Sequence, residues 1–254
     1  MPSLWRFRLR RVKACRYPAA SIRVSECNTV TRTLLLDLDG TLVNSVPDLA
    51  AALNRLLGAR GLAPLSQDET AAMVGDGVAK LVERAFAARG SVPDLGAMAE
   101  YSADYSAHAA VETRPYRGVA DALRSLAQEG WRLAVCTNKP EAAARSVLAA
   151  LGLAQYFAAI GGGDSFPVRK PDPAHLLATL QAAGGEPAHA VMAGDHANDV
   201  AAARGAGVPC IFAAWGYGPL AMAQGAVAVA QDFPDLVAIA RRLLDGTQPP
   251  GCPR

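Results

Sequence analysis

The stretch TLLLDLDGT, residues 33–41, decides how the chain is read. Its first half is a short apolar run and its second half reaches a glycine, the pattern of a buried strand followed by a sharp turn. Side chains alternate in direction along a strand, so Asp37 and Asp39 project to the same side if the extended backbone continues through both. Two like charges held that close are costly unless a cation or a shared proton relieves them. The pair is therefore either a plain acidic turn or half of a site, and the rest of the chain must decide.

Working outward, VPDLAAALNRLLG (46–58) carries Val46, Leu49, Leu53, Leu56 and Leu57 at helical spacing, with Ser45 placed to cap the helix and Pro47 in its first turn. Ser66 and Glu69 form a capping-box pattern, and helical patterns continue through 77–90 and 94–111 with little strand signal. After RPYRG (114–118) the pattern changes. Helical segments (119–130, 141–152, 173–184, 198–207, 233–244) now alternate with short apolar runs (131–138, 157–162, 189–195, 209–215, 226–230). That alternation predicts right-handed crossovers building a parallel sheet covered on both faces. The expected fold is α/β: a Rossmann-like parallel core made of 33–43 and 114–245, with a helical cap inserted at 44–113. Residues 1–32 form a basic extension and 246–254 a tail.

Composition narrows the function classes. Apolar residues make up 51% of 254 residues, enough for a substantial core. No uninterrupted apolar stretch of about 18 residues suggests a membrane span. Cys15, Cys27, Cys136, Cys210 and Cys252 are scattered without metal-ligand or disulfide spacing, which fits a reducing cytoplasm. The net charge of +2 hides a basic segment: residues 1–32 sum to +7, so the body is acidic at −5. WRFRLRRVKACRY (5–17) has the Arg-rich, acid-poor character of a transit peptide or of a segment that touches RNA or anionic lipid. It is read here as an extension outside the chemistry, and no nucleic-acid or membrane partner is expected.

In parallel sheets ligands bind beyond the carboxyl ends of the strands. The predicted strands end in Asp37 and Asp39, in Thr137 and Asn138, in Asp164 after a glycine run, and in Asp195. The TNK turn (137–139) precedes a helix and, besides capping it, aims amides at whatever lies beyond the sheet. Lys170 stands on a turn stiffened by Pro171 and Pro173, a point charge suited to phosphoryl oxygens. In GDHANDV (194–200), Asp195 and Asp199 lie four apart, near the start of a helix. Carboxylates with a lysine and amide donors specify hard-cation chemistry on a phosphate, with Mg2+ as the expected ion.

DLDGT (37–41) resembles the first motif of the haloacid dehalogenase-like hydrolase superfamily, and TN (137–138), Lys170 and the GD....D run from Gly194 to Asp199 resemble its second, third and fourth motifs. The resemblance spans about residues 33–245. It implies that Asp37 is a nucleophile forming an aspartyl-phosphate and that Asp39 is the acid for the leaving alcohol and then the base for water. It implies that Asp37, the Asp39 carbonyl and Asp195 hold Mg2+, with Asp199, Gly40 and Thr41 in support. Thr137, Asn138 and Lys170 would bind the phosphoryl group.

Within that superfamily, LVNSVPDLAAALNRLL (42–57), MVGDGVAKLVERAF (73–86) and RPYRGV (114–119) are similar to bacterial-type phosphoglycolate phosphatases. Asn44, His196 and Ala197 depart from that pattern without removing a principal site group. The resemblance implies a Mg2+-dependent hydrolase of 2-phosphoglycolate, a monomer or homodimer acting on a small phosphorylated metabolite. The alternatives are another small phosphate such as an amino-sugar phosphate, a β-phosphoglucomutase-like mutase, and a non-catalytic phosphate- or RNA-binding protein. Lys80, Arg84 and the amides of Gly75 to Gly77 are the cap candidates for a second anion, whereas Tyr105 and His108 read as ordinary helix residues.

Overall fold

A computed structural model describes residues 31–108 and 110–245. The strongly basic part of the extension, the tail, and Cys15, Cys27 and Cys252 lie outside the described residues. The first strand, β1 (Thr33–Leu36), is followed by the short β2 (Val43–Asn44) and by four helices: α1 (Val46–Gly58), α2 (Gln67–Ala71), α3 (Val78–Ala87) and α4 (Ala97–His108). The chain returns through β3 (Arg114–Pro115), antiparallel to β2. From there helices and strands alternate: α5 (Val119–Gln128), β4 (Arg132–Cys136), α6 (Glu141–Ala150), β5 (Ala159–Gly161), α7 (Pro173–Ala182), β6 (Ala190–Gly194), α8 (Ala197–Gly205), β7 (Cys210–Ala213), β8 (Ala228–Ala230) and α9 (Phe233–Asp245).

The six long-range strands pair in parallel in the order β5-β4-β1-β6-β7-β8. The strand that ends in the DLDGT run is therefore central, and the order reverses beside it. Leu34 and Leu36 of β1 pack into one core with Leu133 and Val135 of β4 and with the α5, α6 and α9 side chains Leu123, Val147 and Leu236. Leu35 faces the other way, toward Leu176 and Leu180 of α7 and Val200 of α8. The two-residue alternation of the strand thus supplies both faces of a three-layer sandwich.

The helical region is anchored at its root. Asp48, in the first turn of α1, is buried and accepts hydrogen bonds from the amides of Glu112 (2.9 Å) and Thr113 (2.8 Å) and from the Thr113 hydroxyl (2.6 Å). Outgoing and returning chains are thereby tied together beside the sheet. The capping box at α2 forms as expected, with Ser66 and Glu69 satisfying each other's amides. Two capping expectations do not hold. Ser45 makes no side-chain cap on α1, because its hydroxyl is taken by Asp39, and the start of α6 is capped by Asp164, which accepts the Glu141 amide at 2.7 Å, not by Thr137 or Asn138. Among the described residues no helix is long and apolar enough to cross a membrane.

Candidate active site

The site lies where β1, β4 and β6 end, at the reversal of strand order. Asp37 leaves β1 with its amide bonded to the carbonyl of Ala193 on β6, and its Oδ1 accepts the Leu38 amide at 2.7 Å. At Gly40 (φ +85°) the chain turns so closely over Asp195 that a Cβ would lie 2.2 Å from its Oδ2. Only glycine suits both the left-handed backbone and that approach. Gly194 and Gly216 are constrained by close approach alone, since Cβ atoms there would sit 2.2 Å from Asp199 and Asp195 side-chain atoms respectively.

Ligand oxygens of Asp37, Asp195 and Asp199 all fall within 4.8 Å of one another, and all three residues are buried. Asp195 is held by the Thr41 hydroxyl (3.0 Å) and the Tyr217 amide (2.7 Å). Burial, with the charges of Asp37 and Asp199 adding to it, nevertheless pushes its carboxyl up to about 8. A cation among these oxygens would relieve that repulsion, and an all-oxygen donor set suits a hard divalent ion. The donor set therefore fits a metal site.

Lys170 is the counter-charge. Its ammonium, 2% exposed, bonds to Asp199 Oδ1 (2.6 Å), the carbonyl of Cys136 (2.6 Å) and Asp37 Oδ1 (3.0 Å). Burial opposes its charge, but Asp199 and Asp37 outweigh burial and raise its pKa. Asp199 also accepts the His196 amide at 3.0 Å, so both its oxygens are engaged within the protein and it serves to position Lys170.

Asp39 stands apart from this trio, in a second polar group. Its carboxylate accepts from Lys139 Nζ (3.0 and 3.1 Å) and from the Ser45 hydroxyl (2.6 Å), and Tyr217 Oη accepts the Ser45 amide at 2.8 Å. Lys139, itself buried, has the Tyr105 ring 4.4 Å from its ammonium. The sequence marks neither Lys139 nor Tyr217 as a site residue, and Ser45 only as a helix cap. TNK contained a signal, a lysine directly after the polar strand end, but a strand-to-helix turn explains it equally well; nothing local pointed to Tyr217, 178 residues from Asp39 along the chain.

Thr137 and Asn138 line the same cleft as Asp37 and Asp39, about 380 Å³ in volume, with Asp164 at its edge. The Thr137 hydroxyl accepts the Lys139 amide, so its proton is free to be given to an incoming oxygen. Asn138 Nδ2 donates to the carbonyls of Gly75 and Lys170, both at 2.9 Å, which fixes its amide orientation and uses its side-chain donors across the cap and core. A phosphoryl oxygen would therefore have to meet the Asn138 backbone and not its side chain.

The structure does not bring Lys80 and Arg84 to the cleft. Lys80 is a surface residue paired with Glu83, and Arg84 pairs with Asp76 and the Met73 carbonyl. Both turn away because α3 presents Val78 and Leu81 to the cleft on its inner face. Asp76 in turn accepts from Asn198 of the core at 2.7 Å, so the GDG turn (75–77) acts as a strut between cap and core. His108 is exposed and bonds within its own helix.

A three-layer α/β fold, with an acidic centre suited to a divalent cation under a helical insertion, defines the class. The chain belongs to the haloacid dehalogenase-like hydrolase family, whose model matches residues 31–207. The phosphoglycolate phosphatase of Agrobacterium fabrum (strain C58) is 44% identical to it over 194 residues, 75% of this chain and 83% of that protein. That of Rhodospirillum rubrum is 42% identical over 214 residues, 81% of this chain and 89% of its own length. Among solved structures, a predicted phosphoglycolate phosphatase from Haemophilus somnus 129pt superposes with a TM-score of 0.76 at 30% identity, over 82% of this chain and 97% of that one.

Proposed function

We propose that this chain is a Mg2+-dependent phosphomonoester hydrolase acting on 2-phosphoglycolate, releasing glycolate and phosphate. The observation that carries the reading is the separation of two carboxylates at one strand end: Asp37 beside Lys170 and the acidic trio, Asp39 beside Lys139 and Ser45, both facing one cleft. A nucleophile and an acid-base group need such different surroundings. The substrate rests on relatives at 44% and 42% identity that carry that activity in their names.

Asp37 attacks phosphorus while the P–O bond to glycolate breaks, and Asp39 gives its proton to the departing oxygen. Asp39, now a carboxylate, takes a proton from water as the water oxygen attacks the phosphorus of the aspartyl-phosphate, returning Asp37 and releasing phosphate. Lys170, fixed by Asp199, offsets negative charge between Asp37 and the phosphoryl oxygens, and Thr137 donates to one of them. Asp37, the Asp39 carbonyl and Asp195 would hold Mg2+, which when bound screens the repulsion between phosphate and carboxylates. Gly40 and Thr41 keep Asp195 against the β1 turn.

The test is phosphate release from 2-phosphoglycolate, glycerol phosphates, sugar phosphates and nucleotides, with Mg2+ or EDTA. A preference of about tenfold or more for 2-phosphoglycolate, roughly 1.4 kcal/mol of discrimination, is expected and should vanish in EDTA. A stronger preference for another ester would discard the substrate and keep the chemistry; release that persists in EDTA would discard the metal.

A further inference from the structure

The cap wall of the cleft holds polar atoms that the hydrolytic chemistry does not use. Tyr101 and Tyr105 lie one helical turn apart on α4, with rings stacked at 6.0 Å, and both line the cleft. They are 1% and 4% exposed, and the hydroxyl of each is buried with no hydrogen-bond partner among the described residues. Burying a phenol oxygen without a partner is unfavourable, and phenylalanine would pack there without that cost. Burial raises both phenols above their ordinary pKa, so each keeps a proton to donate.

Opposite them stands Lys139, the only cationic side chain among the described residues that line the cleft. Its ammonium has three protons. It meets Asp39 on one side and the Tyr105 ring on another. The remainder of that wall is largely apolar, Val78 and Leu81 included, so a charge there is poorly screened.

We infer that Lys139 and the hydroxyls of Tyr101 and Tyr105 form a subsite for an anionic group on the leaving side of the substrate, a carboxylate carried next to the scissile ester. The inference rests on the phosphoglycolate reading and deepens it: the phosphoryl end meets the sheet edge and the carboxylate end meets α4. The arrangement also ties recognition to chemistry, because the cation that receives the carboxylate is the one that holds Asp39.

The experiment compares kcat/KM for 2-phosphoglycolate with that for ethyl phosphate, in which a methyl group replaces the carboxylate, in the full chain with Mg2+. The ratio of the two should fall at least tenfold in Lys139→Gln and severalfold in Tyr101→Phe and Tyr105→Phe, with the tyrosine effects in KM for 2-phosphoglycolate. Lys139→Gln also releases Asp39 and will slow both esters, so the decisive variant is the near-isosteric double change Tyr101→Phe/Tyr105→Phe. An unchanged ratio in that variant, from a wild-type chain that prefers 2-phosphoglycolate, overturns the subsite and leaves the phosphatase reading intact. A wild-type chain that cleaves both esters equally overturns the substrate reading and the subsite together.

Discussion

On the sheet side of the cleft each buried charge has a partner, whereas on the helix side the buried hydroxyls of Tyr101 and Tyr105 have none among the described residues. Asp37 and Asp199 share the Lys170 ammonium, Asp39 is held by Lys139 and Ser45, and Asp195 is held by Thr41 and Tyr217. The α4 wall offers donors and apolar surface. A wall whose charged groups are paired is preorganised for chemistry that is the same for every phosphate ester. A wall with unsatisfied groups is completed only by the part of the substrate that varies.

The comparison breaks most visibly at Asp37. Asp37→Asn keeps the shape of the sheet edge and removes the nucleophile, and phosphate release should drop to background in a steady-state assay. Retained turnover would show that the trio is structural. Asp39→Asn removes the proton donor and should slow turnover by about 10²- to 10⁴-fold. A rapid-quench search for phosphoenzyme would show whether the first step, which needs the donor, is the one slowed.

Lys170→Met tests mutual satisfaction directly. It strands two buried carboxylates, and losing one partner of a buried pair costs about 3–5 kcal/mol, which chemical denaturation would register as a lower midpoint. Stability equal to wild type would mean that Asp37 and Asp199 do not depend on this lysine.

Proton linkage gives a smaller effect. In metal-free protein the Asp195 carboxyl is pushed up to about 8, chiefly by burial and then by Asp37 and Asp199, against an ordinary value near 3.8. The folded chain therefore holds a proton that the unfolded chain has already lost, and this contribution to stability fades as pH rises through that window. In EDTA the melting temperature should fall between pH 5 and pH 8.5 by more than about 3 °C, roughly what 1 kcal/mol gives in a chain of this size. Mg2+ at the higher pH should restore it. A melting temperature that rises with pH in EDTA would contradict the crowding of the trio.

The smallest effect is expected at Lys80. It is half exposed and paired only with Glu83, so Lys80→Ala should change stability by less than about 0.5 kcal/mol and leave substrate preference unmoved in the ester panel. A lost preference would return the second-anion site to α3.

The sequence by itself determined the elements and the strand ends. The short apolar run from Thr33 to Leu36 and helical spacing from Val46 to Leu57 are local signals, and the chain folds locally as they direct. The strand ends carrying Asp37, Thr137 and Asp195 were legible for the same reason, since polar residues stop each apolar run. Tertiary structure decided the rest. The order that places β1 between β4 and β6 depends on crossovers that periodicity does not specify. Ser45 was expected to cap α1, but the part-buried carboxylate of Asp39 competes more strongly for a hydroxyl than a helix end does. Lys139, Tyr217 and the two tyrosines of α4 acquire their surroundings from segments far away in sequence. A side chain's spacing records which face of its own element it occupies, and only the packing of elements decides which charge or cavity that face meets.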